Sequence, residues 1–541
     1  MGRARSGVAQ TGSHSTGLPS PNSSLLGFYR GLLSSANFRL GRRAASTISY
    51  LVSSPPVRIG SLYRFPYRHP PVALAVGSPT LAAFSLALTA VNTRWAYDRL
   101  SAIKHHNHKN AARALIYLQQ VPLRITTRDG LLASLILLPE NGDWWESLVD
   151  RLEQTHTWTI AAATSIAWVG IAFAFTIVDS FMNLGKNLNS NGQGVGSLWL
   201  WLIPIVVGWL WIPVCSYDRL KTAIDKANDL AVVAAHSDPL NIDSPRRTRD
   251  VSDMQAIEMC KKEVFTQDAT RTAPVFNYAR IWEWSSVVEI VAQAFEHADG
   301  KARRHKPVNP MKEWVYLEDR HPTNNRGNRT GTVGQVQAYC GLLDGGDKEP
   351  AQPVPSGVWR RIFVASAFAL GLQWGTTGSA AIIVIFTPTI GLGCRSGTYI
   401  LYGIVSTMIW LMLLLSSYLA HYAKERHERG VPRSGLNSVT VAKGLATFLR
   451  RLSILAASCN TLCIILACVF QFSDFYSTCY CNSSVLGRGS KYAYIIIAPG
   501  YHFDHMEAAW IGGIVLAGGC VFVFLFFLHL MLEPHQDSTN N

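Results

Sequence analysis

Acidic residues are missing from the first part of this chain. No Asp or Glu precedes Asp98, whereas Arg3, Arg5, Arg30, Arg39, Arg42, Arg43, Arg58, Arg64 and Arg68 all do. Charge is scarce throughout, at 16% of 541 residues, against about 25% in ordinary soluble domains. Hydrophobic residues make up 48% and gather in long runs separated by basic segments. This excludes one large soluble core and predicts a polytopic membrane protein with polar loops. Catalytic signatures are missing too. There is no Walker loop, GxSxG elbow, HExxH pair or kinase set, and GLGCRSG at 391–397 lacks the lysine and spacing of a phosphate loop. No Asp, Glu, Lys or Arg stands at the middle of an apolar run, which argues against proton- or ion-coupled transport. No cofactor and no nucleic-acid partner are expected.

The first seventy residues are rich in Ser, Gly and Pro and read as a disordered basic tail. They hold no apolar run long enough for a signal peptide. FRLGRRAAST at 38–47, Arg- and Ser-rich and free of acid, also fits a mitochondrial targeting segment. Localisation therefore reads as plasma membrane or secretory-pathway membrane, with a mitochondrial membrane as the alternative.

A helix crossing the ~30 Å hydrocarbon core needs about 20 mostly apolar residues. Seven segments qualify: 71–92, 158–181, 196–217, 362–388, 398–421, 452–472 and 509–532. LLASLILLP at 131–139 is too short to cross and reads as a buried or interfacial turn of helix. The fold class is all-α: about seven transmembrane helices with a small helical cytosolic insertion. The organisation is a tail at 1–70, three spans within 71–217 with a basic connection at 93–157, an insertion at 218–361, four spans within 362–532, and a short cytosolic tail at 533–541.

Lys and Arg set the orientation. The connections 93–157, 218–361 and 422–451 are rich in them, while the alternate connections hold Lys186, Arg395, and Arg488 with Lys491. Rich loops are expected in the cytosol with the C-terminus. Arg58, Arg64 and Arg68 nearly balance Arg94, Arg99, Lys104 and Lys109 across the first span, so its direction stays open.

The run LQWGTTGSAAIIVIFTPTIGLGCRSGTYILYG at 372–403 reads as a span, a tight outer hairpin and the next span. Pro388 and the glycines end one helix and reverse the chain, and Arg395 is expected at the water boundary. Gly371, Gly375 and Gly378 lie near one helical face and would admit a close neighbour, as small-xxx-small faces do. Gln373, Thr376, Thr377 and Ser379 add hydrogen-bonding capacity on this span, and Asn460 and Thr461 do so on another. These residues read as glue between helices, with a polar solute path as the alternative.

In the insertion, ARIWEWSSVVEIVAQAFEHA at 279–298 places Ile281, Trp284, Val288, Val291 and Phe295 at helical spacing, which predicts an amphipathic helix needing a partner. The segments 218–236 and 252–265 are candidate helical partners. NAARALIYLQQVPLRI at 110–125 predicts a helix stopping before Pro122. WWESLVDRLEQTHTW at 144–158 is expected to run into the second span, and 440–451 into the sixth.

Topology sorts ten cysteines. Cys394, Cys479 and Cys481 fall on the outer side, where one pairing of Cys394 with Cys479 or Cys481 is open. Asn482-Ser-Ser is a glycosylation sequon on that side; Asn328-Arg-Thr is another, on the inner side. His502, Asp504 and His505, with Glu507 beside them, are weak candidates for a divalent metal by ligand type and spacing. Acidic residues at a helix entry explain the same pattern through the helix dipole.

SPTLAAFSLALTAVNTRW, LQQVPLRITTRDGLLASLILLPENGDWW, APVFNYARIWEW and the 372–403 run together resemble a group of uncharacterised fungal multi-pass membrane proteins. The resemblance implies an integral membrane protein of fungal type and carries no reaction, ligand or site. Three functions stay open: a non-catalytic scaffold, sensor or accessory subunit, with a protein partner reached through 218–361; a channel or facilitator for a neutral or polar solute; and a metal-dependent membrane enzyme.

Overall fold

The computed structural model describes residues 71–153, 160–182, 191–212, 217–234, 246–247, 256–259, 272–316, 326–342, 357–387, 390–428, 438–472, 476 and 501–533. The helices are α1 Pro71–Gly77, α2 Pro79–Ser101, α3 His108–Leu118, α4 Leu131–Leu137, α5 Gly142–Leu152, α6 Ile160–Met182, α7 Asn191–Trp199, α8 Leu202–Trp211, α9 Tyr217–Asn228, α10 Ile281–Ala302, α11 Arg326–Arg329, α12 Val333–Cys340, α13 Val358–Phe386, α14 Cys394–Glu428, α15 Ser438–Phe472 and α16 Tyr501–Leu532. Short strands β1 Leu123–Ile125, β2 Val232–Val233, β3 Arg246–Arg247 and β4 Ile257–Met259 form two antiparallel pairs, β1 with β4 and β2 with β3.

Among the described residues five helical stretches are long and apolar enough to cross a membrane: Gly192–Trp211, Val358–Phe386, Cys394–His427, Ser438–Gln471 and His505–Leu532. Their exposed faces carry the argument further. On α14 Leu401, Ile404, Met408, Leu411 and Leu415 are all exposed, at steps of three and four. On α15 Leu455, Leu462, Leu466 and Val469 are exposed along one side, at steps of seven, four and three, and on α16 Val515, Phe522 and Phe526, at steps of seven and four. Apolar stripes of this extent turned outward would not be tolerated in water. In hydrocarbon they are the expected lipid face. The chain is an all-α integral membrane protein.

Helix α2 occupies the centre. Residues 79–90 are buried on every face, as expected of a helix apolar all round. It packs mainly on α13, with α14, α16 and α8 also in contact. The α14–α15 hairpin and the α13–α16 pair supply the most extensive contacts of the bundle. Prolines account for the two breaks within the apolar segments. Ser78 leaves helical geometry (φ −143°, ψ 82°), and its hydroxyl accepts from the Leu81 amide, so Pro79 opens a new helix at its first turn. Pro204 cannot donate to the carbonyl of Leu200, and the helix parts between Trp199 and Leu202. Ile212 is extended (φ −97°, ψ 119°), as the residue before Pro213 should be, so this stretch ends near Trp211 rather than at 217.

A second core joins two loops distant in sequence. Leu115, Leu132, Ile136, Trp144, Trp145 and Leu148 from 93–153 pack with Leu220, Ile257, Trp284, Val288, Val291, Phe295 and Val336 from 217–342. The insertion is thus not a separate helical subdomain, because the first loop contributes half of its core. All seven residues of α4 are buried within it. The 252–265 segment, expected to be helical, contributes β4, whose alternating Ile257 and Met259 pair with Ile125 and Leu123; tertiary pairing overrides local helical pattern. Helix α5 does not continue into α6. Glu153 turns out of it (φ −67°, ψ 113°), and its carboxylate meets Arg113 at 2.5 Å. Ala96 and Leu100 of α2 belong to this core while Leu81–Ala90 belong to the bundle core, so one rod serves both. We call the unit of 93–153 and 217–342 the loop domain.

Candidate functional site

The most densely connected polar region lies where the loop domain meets the bundle. Asn277 sits in a short 3-10 turn just before α10, and its amide donates to Thr89 Oγ1 of α2 at 2.8 Å. The next carbonyl, Tyr278 O, accepts from Ser417 of α14 at 2.9 Å. Arg280 folds its guanidinium back over the carbonyls of Thr272, Ala273 and Phe276, holding the segment as a wedge. Trp282 stacks on His421 (5.3 Å between centroids) and packs edge-on against Trp359 (5.2 Å). Glu283 pairs with Lys424 at 2.8 Å. Helices α2, α13 and α14 all contact residues 277–283.

Arg361 holds this junction together. It lies in the first turn of α13 and is 2% exposed. Nη1 donates to Asn92 Oδ1 of α2 and Nη2 to Ser285 Oγ of α10, each at 2.8 Å. The guanidinium lies 3.7 Å from the centre of the Trp95 ring. One planar cation therefore ties the span to both domains, a geometry that Arg provides and Lys does not. Beside it Arg99 pairs with Glu289 (3.0 Å) and with Glu296. The hydrogen bond from Arg99 holds the Glu296 carboxyl below its usual range despite partial burial.

The second polar region lies inside the bundle. Gln373 Nε2 donates to Thr377 Oγ1 at 2.7 Å, and Ser406 Oγ reaches Gln373 Oε1 at 3.4 Å. Ser78 donates to the Ser406 carbonyl at 2.8 Å, and Thr80 and Ser406 hydroxyls lie 3.1 Å apart. Thr376 returns its hydroxyl to Leu372 O, and Ser379 donates to Gly513 O at 2.6 Å. Asn460 donates to Gly77 O at 2.7 Å and to Tyr402 O at 3.3 Å, beside the break between α1 and α2. Thr461 donates to Ala73 O at 2.7 Å. Of the three glycines, Gly375 makes the close approach: a Cβ there would collide with the Cys520 side chain, whereas Cβ atoms at Gly371 and Gly378 would meet nothing within 4 Å. Of the three, only Gly375 serves the α13–α16 contact; from the other side Gly513 of α16 makes a second close approach, to Ile383 and Ser379.

The hairpin after α13 closes on Arg395, whose side chain is buried within the protein. Its Nη2 reaches back to Val384 O (3.4 Å) and Thr387 O (3.5 Å), covering carbonyls that the helix end leaves without intrahelical donors. Gly391, at φ +127°, takes a conformation that other residues avoid.

The remaining sequence candidates are not brought together among the described residues. Cys394 is exposed at the start of α14; Cys479, Cys481 and Asn482 lie outside the described residues. His505 is exposed in the second turn of α16, and the side chains of His502 and Asp504 lie outside the description. No group of three His, Cys, Asp or Glu side chains suited to a metal occurs among the described residues. Asn328 is 1% exposed, and its amide both accepts from Val315 N and donates to Val315 O at 2.9 Å. That amide acts as a structural clamp.

Sequence reasoning missed Arg361, Asn92, Trp95 and Ser285. In VWRRIF the two arginines are equivalent as basic flanking residues, yet Arg360 is exposed and Arg361 buried. The helical phase relative to α2 decides between them, and no local signal carries it. Comparison of the chain with protein-family models, with curated proteins and with solved structures gives no match.

Proposed function

We propose that this chain is a seven-span, non-catalytic membrane scaffold, sensor or accessory subunit whose loop domain faces the cytosol and presents the surface for a protein partner. The seven passages would be α1–α2, α6, α7–α8, α13, α14, α15 and α16. Supporting this reading, Tyr402 donates to Val76 O and Asn460 to Gly77 O, far from the loop domain, while α2 ends inside its core. In keeping with it, Ser417 and Lys424 of α14 and Arg450 of α15 bond to Tyr278, Glu283 and Thr272 of the loop domain. The basic loops then share one side, which the positive-inside rule assigns to the cytosol. The membrane would be the plasma membrane or one of the secretory pathway.

One observation favours the scaffold over a channel: Gln373, Thr376, Thr377, Ser379, Asn460 and Thr461, the residues that would border a polar path, are engaged with other side chains and with backbone carbonyls. Interhelical bonding of this kind holds spans together; a solute path needs polar groups left available to the solute. Reconstitution into liposomes followed by flux of small neutral solutes and ions tests it. No flux above empty vesicles is expected. Flux that Gln373→Leu abolishes would replace the scaffold with a channel.

A further inference from the structure

A small cavity in the loop domain, away from the junction, is lined by His105, Leu137, Ala302, Val308, Trp314, Asn328, Arg329 and Tyr339 and has room for about one water molecule. Arg329 is 4% exposed. Its Nε donates to Leu137 O at 2.6 Å, but its Nη2 is buried with no hydrogen-bond partner, and so is the indole Nε1 of Trp314. The Asn328 and Tyr339 side chains there are already engaged. The Asn328 amide clamps Val315, and the Tyr339 hydroxyl donates to Lys306 O at 2.8 Å. His105 Nδ1 lies 3.1 Å from the His106 carbonyl. Two unspent donors, one on a cation, thus line a space one small particle wide. Leaving buried donors unpaired costs about 1–3 kcal/mol each, so an occupant that accepts from both is favoured.

We propose that this cavity binds a small monovalent anion, either a halide or one oxygen of a carboxylate, held by Arg329 Nη2 and Trp314 Nε1. His105 adds no second positive charge, because burial, reinforced by nearby Arg329, pushes it down to about 4. Glu140 lies near Arg329 and balances part of its charge, which favours a singly charged occupant over a divalent one. The walls offer apolar surface from Leu137, Ala302 and Val308, which suits a weakly hydrated ion.

Thermal melting of the purified full-length protein in detergent tests this. Chloride, bromide or formate replaces gluconate at constant ionic strength, with sulfate as the oversized control. A saturable rise in melting temperature is expected with the three small anions and not with sulfate. A larger effect of formate would identify the carboxylate source, and a larger effect of chloride or bromide the halide. Trp314→Phe keeps an aromatic ring and removes one donor, so the half-saturating concentration should rise roughly ten-fold; Arg329→Gln should abolish the response. No anion dependence in the wild type would mean that the cavity holds water alone and would overturn the proposal. An unchanged midpoint in Trp314→Phe would place the binding elsewhere and overturn it equally.

Discussion

Replacing Arg361 by Met removes the cation from the junction while keeping much of its volume. The wild-type side chain makes two hydrogen bonds of 2.8 Å from a charged donor, each worth about 1.5–3 kcal/mol. It also stacks on Trp95 at 3.7 Å, which adds up to about 2 kcal/mol in a desolvated setting. Against this stands the desolvation of a buried guanidinium, several kcal/mol that the variant no longer bears. Asn92 Oδ1 would be left buried without this donor, at about 1–3 kcal/mol. The net destabilisation of the junction is expected at roughly 2–4 kcal/mol. Hydrogen exchange resolved by segment is the suitable assay, since local opening need not unfold the bundle. Amides of α10 should exchange roughly 30- to 1,000-fold faster in Arg361→Met, at about 1.4 kcal/mol per ten-fold. Arg361→Lys should not restore protection, because a point charge cannot serve both acceptors. Unchanged exchange in α10 would refute the assignment of Arg361 as the tie between the domains.

Three further outcomes are expected. Gly375→Leu forces a side chain into Cys520 and should lower thermal stability by about 1–3 kcal/mol or more, whereas Gly371→Leu, with open space around it, should melt near wild type; equal effects would remove the close α13–α16 contact. Asn460→Leu forfeits the bonds to Gly77 O and Tyr402 O and should cost roughly 1–3 kcal/mol, read by detergent melting; a neutral result would show that the kink at Ser78 does not depend on Asn460. His105 is buried and its folded pKa lies at about 4, below its ordinary 6.5. The unfolded chain therefore binds the extra proton first, so the stability it contributes is complete above about 6.5 and is lost as pH falls toward about 4, at roughly 1.4 kcal/mol per unit. His105→Phe should flatten that part of the melting-versus-pH curve, and an identical curve would exclude His105 as its cause.

Length and apolar content made α13, α14, α15 and α16 legible, because crossing hydrocarbon imposes both. The spacing of Ile281, Trp284, Val288, Val291 and Phe295 likewise foretold α10, all five being buried. Loop pairing was not legible. Leu123 meets Met259 across more than a hundred residues, and three-residue strands carry too little periodicity to announce themselves. The first apolar segment extends beyond its readable end, since Arg94, Asp98 and Arg99 lower its hydropathy although α2 continues unbroken to Ser101. Burial of Arg361 and Arg395 escaped for a related reason. A basic residue at the edge of an apolar run normally marks the water boundary, and its partners, Asn92 and the α13 carbonyls, are set by tertiary packing.

Labelling single introduced cysteines with a membrane-impermeant maleimide, in sealed vesicles of known orientation and against the wild-type background, tests the arrangement most directly. Met311→Cys lies on the loop domain at a position 93% exposed, and Leu392→Cys lies in the α13–α14 hairpin at one 42% exposed. Vesicles exposing the outer face should label Leu392→Cys at once and Met311→Cys only after permeabilisation, with the reverse order in inverted vesicles. Equal labelling of both from one side would put the loop domain and the hairpin in one compartment and contradict the alternation of the helices.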